Sequence, residues 1–282
     1  MSALASVETW SGKDRGDENF PVGSILIRRS LRRHIHAFYA FARNADDIAD
    51  SPTLAEADKI IRLDTMEAVL LGRAEAALAP SAAALRASLA ETGVTDQHAR
   101  DLLVAFRRDA TNRRYATWEE LHDYCRYSAM PVGRHVLDLH REGRGTWGAS
   151  DALCVSLQVL NHLQDCAKDL TALDRCYLPQ SLLESYGARE ADLRANRVSP
   201  QLRQVLTALL AMCVSLNHHA DALPRRVKSW RLRFETALIL GLARRLARRL
   251  KRGDPLRRRV KLRATDLVIA AVLTLRYLRF AR

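Results

Sequence analysis

The stretch Tyr39-Ala40-Phe41-Ala42-Arg43-Asn44-Ala45-Asp46-Asp47-Ile48-Ala49-Asp50 decides how the rest of the chain is read. On a helix, Tyr39, Arg43, Asp46 and Asp50 step by 4, 3 and 4 and form one stripe. At 1.5 Å per residue that stripe spans about 16 Å. Asp46 and Asp50 share a face one turn apart, where two carboxylates repel unless a cation lies between them. Magnesium suits such a place, because it takes carboxylate and phosphate oxygens and keeps some of its waters. Arg43, one turn earlier, is placed to meet a phosphate oxygen. A cluster of solvated acids is the plainer account. Acids at a helix C-terminus oppose the macrodipole, however, a cost usually tolerated for function.

Working outward, helical periodicity runs nearly throughout and no period-2 strand is evident. The pattern predicts helices near 31–50, 54–72, 80–92, 96–112, 117–140, 150–173, 199–222, 228–252 and 264–281. Residues 1–23 read as irregular. Thr117-Trp118-Glu119-Glu120 carries a capping-box signature, and Gly253-Asp254-Pro255 is the clearest late break. With 48% hydrophobic residues in 282, an all-α protein with one large core over 1–282 is expected.

A second polar stripe lies in Gln158-Val159-Leu160-Asn161-His162-Leu163-Gln164-Asp165-Cys166-Ala167-Lys168-Asp169-Leu170. Gln158, Asn161, Asp165 and Asp169 step by 3, 4 and 4, flanked by Leu157, Leu160, Leu163 and Leu170. Amides and carboxylates inside so apolar a helix are costly to bury without a partner. A structural hydrogen-bond network and a metal–diphosphate site both satisfy them. With two such helices in one chain, a two-sided clamp is the more economical account.

Charge is unevenly spread. Residues 225–282 hold 19 Lys and Arg against 3 Asp and Glu, while the remainder holds 26 against 29. Arg244-Arg245, Arg248-Arg249 and Lys251-Arg252 recur at helical spacing, opposite Leu242, Leu246 and Leu250. That basic amphipathic helix fits a nucleic acid or an anionic membrane surface, or serves as a docking face for a partner enzyme. The apolar run Leu267 to Leu275 is far short of the ~20 residues needed to span a bilayer. No signal peptide is evident, and five cysteines without a Cys-x-x-Cys pair suggest thiols in a reducing cytoplasm. His122-Asp123 alone is weak support for a metal phosphohydrolase, and the other histidines lack metal-ligand spacing.

Asp46-Asp47-x-x-Asp50 after Tyr39 and Arg43, Asn161-x-x-x-Asp165-x-x-x-Asp169, and Arg175-Cys176-Tyr177-Leu178-Pro179 together resemble the squalene/phytoene synthase family over about residues 17–190. Tyr124-Cys125-Arg126-Tyr127-Ser128-Ala129-Met130-Pro131-Val132-Gly133 is similar to another helix of that family. Glu18-Asn19-Phe20-Pro21-Val22-Gly23-Ser24 and Asp165-Cys166-Ala167-Lys168-Asp169 resemble its bacterial, water-terminated branch, whose product is hydroxysqualene.

The resemblance implies an all-α isoprenoid-synthase fold around a central apolar cavity, of which the basic part 225–282 is a portion. It implies Asp46, Asp47, Asp50, Asp165 and Asp169 as ligands of Mg²⁺. Asn19, Arg43, Gln158, Asn161, Lys168, Arg175 and Tyr177 would contact the isoprenoid diphosphate, and Phe38, Tyr39, Phe41 and Tyr124 would line the cavity. The expected reaction ionises presqualene diphosphate and captures the rearranged cation with water. Squalene or presqualene diphosphate synthesis from farnesyl diphosphate is the alternative. Gln164 stands where many members carry Arg, and Asp17-Glu18-Asn19 replaces a Ser-rich segment. Both departures suggest a reduced demand for a second diphosphate. The other expected partners are a membrane surface and enzymes of the same route, with a cytoplasmic location and no nucleic acid.

Overall fold

The computed structural model describes residues 6–8 and 27–278. Asp17, Glu18 and Asn19, expected at the substrate entry, lie outside the described residues. Twelve α-helices are present among the described residues: α1 Arg29–Asp50, α2 Glu56–Leu70, α3 Pro80–Thr92, α4 Gln97–Thr111, α5 Trp118–Ser128, α6 Met130–Leu139, α7 Trp147–Leu173, α8 Gln180–Ser185, α9 Pro200–His219, α10 Leu223–Arg226, α11 Trp230–Arg252 and α12 Ala264–Leu278. Three short 3₁₀ segments and one at Glu190–Arg194 join them. No strand occurs among the described residues beyond one isolated parallel bridge, Arg114 to Cys176. The all-α expectation holds.

The helix expected over 117–140 is two helices. Pro131 has no N–H to donate and its ring crowds the preceding turn, so the chain breaks at Ala129 (φ −122°). At the start of α5 the Thr117 hydroxyl accepts from the Glu120 N–H at 3.3 Å, as the capping box requires. The Glu120 carboxylate reaches one residue further back than expected and accepts from the Ala116 N–H at 2.6 Å.

The contacts gather into two units. The first comprises Met1–Asn112 with Arg134–Arg141. Its core is built by α1 to α4, where Phe41, Ile48, Leu63, Met66, Leu85, Leu102 and Leu103 are fully buried. On α1 the buried positions Phe38, Phe41, Ala45 and Ile48 step by 3, 4 and 3, so one face packs and the other carries the acids. Removing Phe38, Phe41 or Ile48 from water is worth about 1.5–3 kcal/mol each. Phe38 also stacks on His135 with ring centroids 3.9 Å apart.

The second unit comprises Arg113–Gly133 with Glu142–Arg282. Here α7 packs on α9, α11 and α5, and α11 carries α12. Gly133 matters at one of these seams: a Cβ there would overlap Ser150 Oγ and Cys154 Sγ on α7. At another, a Cβ on Gly241 would stand 3.0 Å from Ala270 Cβ, so α12 lies close against α11.

Two acids fasten this end of the chain. Asp266, with no exposed surface, accepts from Arg245 Nε at 2.7 Å, from Arg249 and from the Arg263 N–H at 2.8 Å. Asp221 accepts from Arg244 at 2.8 Å and from the Tyr277 hydroxyl at 2.6 Å. This corrects the reading of α11 as a free basic stripe. Leu242, Leu246 and Leu250 are buried as expected, but Arg244, Arg245 and Arg249 serve internal carboxylates. Half of that stripe is thus tied to the protein's own acids, while Arg248, Lys251 and Arg252 stay exposed, so the free charge available to a nucleic acid is less than the sequence count implies.

Candidate active site

In the first unit, the acid stripe sits on the last two turns of α1. Arg43 lies 3.3 Å from Asp46 and 3.1 Å from Asp47, at i+3 and i+4. Asp47 is buried, whereas Asp46 and Asp50 keep partial exposure. Arg43 thus screens the two neighbouring carboxylates and holds them on one face. The Lys59 ammonium donates to the Ala49 carbonyl at 2.9 Å, a cation at the negative end of the α1 dipole. Tyr39 is half-buried on the stripe. Phe38 and Phe41 sit in the hydrophobic core of this unit.

In the second unit, α7 presents the other stripe. Gln158 and His162 approach at 3.2 Å, and the His162 ring lies 4.0 Å from Asp169. His162 stacks on Tyr177 at 3.7 Å between centroids. Tyr177 in turn neighbours Tyr115 and Tyr124, each 5.7 Å away, and those two are 5.2 Å apart. Three tyrosines and a histidine therefore form one buried aromatic cluster beside the acid stripe. His162 belongs to the same helical face as Gln158, Asp165 and Asp169; its i+4 spacing from Gln158 was the available signal for including it. Tyr115, outside the quoted motifs, carried none. Asn161 is half-buried, Lys168 is exposed and Arg175 is buried.

The end of α7 is braced. Asp174 takes a left-handed conformation (φ 52°), which costs a non-glycine residue about 1–2 kcal/mol. Arg114 and Arg113 both donate to its carboxylate at 2.8 Å, and they hold that carboxyl below its usual range. The Arg175 N–H then donates to the Asp169 carbonyl at 3.1 Å, so Asp169 and Arg175 are set by one tight turn.

Asp165 has a partner that its own region of sequence does not reveal. Arg259 grips it with both arms of the guanidinium, Nε donating to Oδ1 at 2.5 Å and Nη2 to Oδ2 at 2.7 Å. Gln164, buried beside it, donates to the Val260 carbonyl at 2.5 Å and pins the segment that carries Arg259. The cation that Gln164 does not provide is thus delivered by Arg259 from 94 residues away. The local count of cations around Gln164 therefore leaves out one guanidinium, which is engaged by Asp165.

The donor set suits a hard cation. Asp46 with Asp50 and Asp165 with Asp169 offer carboxylate oxygens one turn apart, while the nearby thiols are unsuited: burial pushes Cys166 up to about 12 and Cys176 up to about 11. No group of three or more His, Cys, Asp or Glu converges among the described residues. Magnesium does not require a protein-only cage, since substrate phosphates and water complete its octahedron.

Arg259 competes for the oxygens a cation would use. Arg259→Gln is therefore expected to lower the Mg²⁺ concentration for half-maximal rate by roughly two- to tenfold, the size of one partly exposed charged hydrogen bond. A magnesium titration of turnover checks this, and an unchanged or higher requirement would refute the competition.

Residues 13–266 match the family model described as squalene/phytoene synthase. The hydroxysqualene synthase of Rhodopseudomonas palustris is 48% identical over 94% of this chain and 90% of its own length. That of Sinorhizobium fredii is 48% identical over 91% of this chain and 87% of its own. Among solved structures, the squalene synthase HpnC from Alicyclobacillus acidocaldarius superimposes with a TM-score of 0.73. It is 33% identical and covers 84% of this chain and 90% of that one.

Proposed function

Because the chain belongs to the squalene/phytoene synthase family, an isoprenoid diphosphate-processing group, we propose that it converts presqualene diphosphate and water to hydroxysqualene and pyrophosphate. The observation that carries this reading is the 48% identity to hydroxysqualene synthases across about nine-tenths of both chains. The two units act as one isoprenoid-synthase-like domain in this reading, supported by a family match that runs through both.

The chemistry follows from charge. Asp46 and Asp50 on α1 and Asp165 and Asp169 on α7 would hold Mg²⁺, which when bound neutralises the departing diphosphate. Arg43 keeps Asp46 and Asp47 on one face, and Gln164 with the Asp174 turn fixes the α7 carboxylates. The C–O bond breaks heterolytically and its electron pair leaves with the diphosphate oxygen. Aromatic faces such as those of Tyr115, Tyr124 and Tyr177 stabilise the remaining cation by roughly 0.5–2 kcal/mol each. Water forms the final C–O bond and loses one proton.

The substrate carries a C30 hydrocarbon chain, and the 225–282 block is basic, which supports a peripheral contact with an anionic membrane surface. No helix among the described residues is long and apolar enough to cross a membrane.

The test is substrate choice. Purified protein with Mg²⁺ is expected to release pyrophosphate from presqualene diphosphate and to leave farnesyl diphosphate unjoined. Efficient presqualene diphosphate formation from farnesyl diphosphate would overturn the assignment.

A further inference from the structure

The last helix is inside out. Its inward face, against α11, is made of Asp266, Ala270, Thr274 and Tyr277, all buried and mostly small or polar. Its outward face carries Leu267, Val268, Ile269, Val272, Leu273 and Leu275, all exposed, with Val268 at 62% and Val272 at 60%. A helix that faces water normally shows the reverse pattern. Contiguous aliphatic surface of this kind marks a contact with a partner or a membrane. The helix is also firmly oriented. Asp266 is bonded to Arg245 and Arg249 near one end and Tyr277 to Asp221 near the other, so the aliphatic face cannot simply roll inward.

Charge selects the occupant. From Arg257 to the C-terminus the sequence has eight Lys and Arg and a single acid, Asp266, which is buried and already paired. Arg257, Arg258, Lys261 and Arg263 precede the aliphatic face, and Arg276, Arg279 and Arg282 follow within or beyond it in sequence. A second copy of the same face would bring cation against cation. An anionic lipid surface offers acyl chains for the aliphatic residues and headgroups for the flanking cations.

We infer that α12 lies flat in the headgroup region of a lipid surface, its Leu267–Leu275 face buried in the acyl boundary and the cations that precede it, Arg257, Arg258, Lys261 and Arg263, on anionic headgroups. This rests on the membrane contact proposed above and relocates it. Arg244, Arg245 and Arg249 of α11 are structural, and the aliphatic face of α12 does the binding. An interfacial helix inserts about 5–10 Å, so no spanning segment is needed.

The experiment uses the full chain with vesicles of phosphatidylcholine alone or with phosphatidylglycerol, by co-sedimentation at low and high salt. Wild-type protein is expected to bind both, more strongly with phosphatidylglycerol, and to keep a salt-resistant fraction. Val268→Glu with Val272→Glu should weaken that salt-resistant binding at least about tenfold, since each change places a charge where aliphatic surface was buried. Turnover of detergent-dispersed presqualene diphosphate should be unchanged, which also reports that the variant is folded. Val268→Trp should become quenchable by brominated acyl chains. Binding that salt abolishes and the double variant leaves untouched would overturn the α12 assignment and leave a purely electrostatic contact. No binding of wild type to either vesicle would overturn both. A dimer in solution that the double variant splits would assign the face to a second copy instead.

Discussion

Asp165→Asn and Asp46→Asn are each expected to lower turnover by roughly 10²–10³-fold, the effect of weakening the hold on the Mg²⁺ that would neutralise the leaving group. Helical content should not change. Both side chains keep partial exposure, at 21% and 35%, so neither substitution removes core volume or leaves a deeply buried orphan. The amide that replaces the Asp165 carboxylate can still accept one hydrogen bond from Arg259. The loss of the ion pair itself should therefore cost no more than about 1 kcal/mol. The measurement is a steady-state rate at saturating Mg²⁺ beside a far-ultraviolet circular dichroism spectrum. Near-normal turnover in either variant would show that the corresponding stripe does not serve the diphosphate.

Asp266→Asn is expected to have the largest effect on stability away from the acid stripes. The carboxylate has no exposed surface and serves two arginines and one backbone N–H. Burial alone would raise its pKa, but bonds from Arg249, the Arg263 N–H and Arg245 outweigh that and hold it below the ordinary carboxylate range. Removing one partner of a buried ion pair costs about 3–5 kcal/mol, and the partial exposure of both arginines reduces this to about 2–4 kcal/mol. The variant should melt several degrees lower, and α12 amides should exchange faster. The pH dependence has a definite sign. A carboxyl whose folded pKa is depressed stabilises the fold above its unfolded value, and that stability is lost as pH falls through the folded value. The wild type should therefore hold α12 until the pH drops below the ordinary carboxylate range, and the variant should lack that acid transition. Unchanged melting and unchanged exchange would show that Asp266 is not an anchor.

Much of this was legible in the chain because its information is local. The stripes Tyr39–Asp50 and Gln158–Asp169 are helical periodicities, and the observed α1 and α7 carry them as read. Helix boundaries at Pro80–Thr92 and Gln97–Thr111 follow from breakers a few residues away. Pro131 was the local signal against one unbroken helix over 117–140, whereas the close seat of Gly133 against α7 has no signal in its own stretch of sequence. What was not legible is long-range pairing. Nothing near Asp165 points to Arg259, and nothing near Arg245 says that Asp266 will neutralise it. Counting cations along 225–282 therefore overstated the free charge of α11 by Arg244, Arg245 and Arg249. The apolar run Leu267–Leu275 was measured against a bilayer's thickness. Only the packing of α12 shows that its large residues face outward and its small and polar ones inward.

In the proposed reaction water, not hydride, quenches the last cation. The most direct measurement is the product formed from presqualene diphosphate and Mg²⁺ in ¹⁸O-enriched water, with and without NADPH. The expected product is a C30 alcohol carrying one ¹⁸O atom, formed at the same rate and in the same yield whether or not NADPH is present. Squalene that appears only with NADPH, or an alcohol without the label, would contradict it.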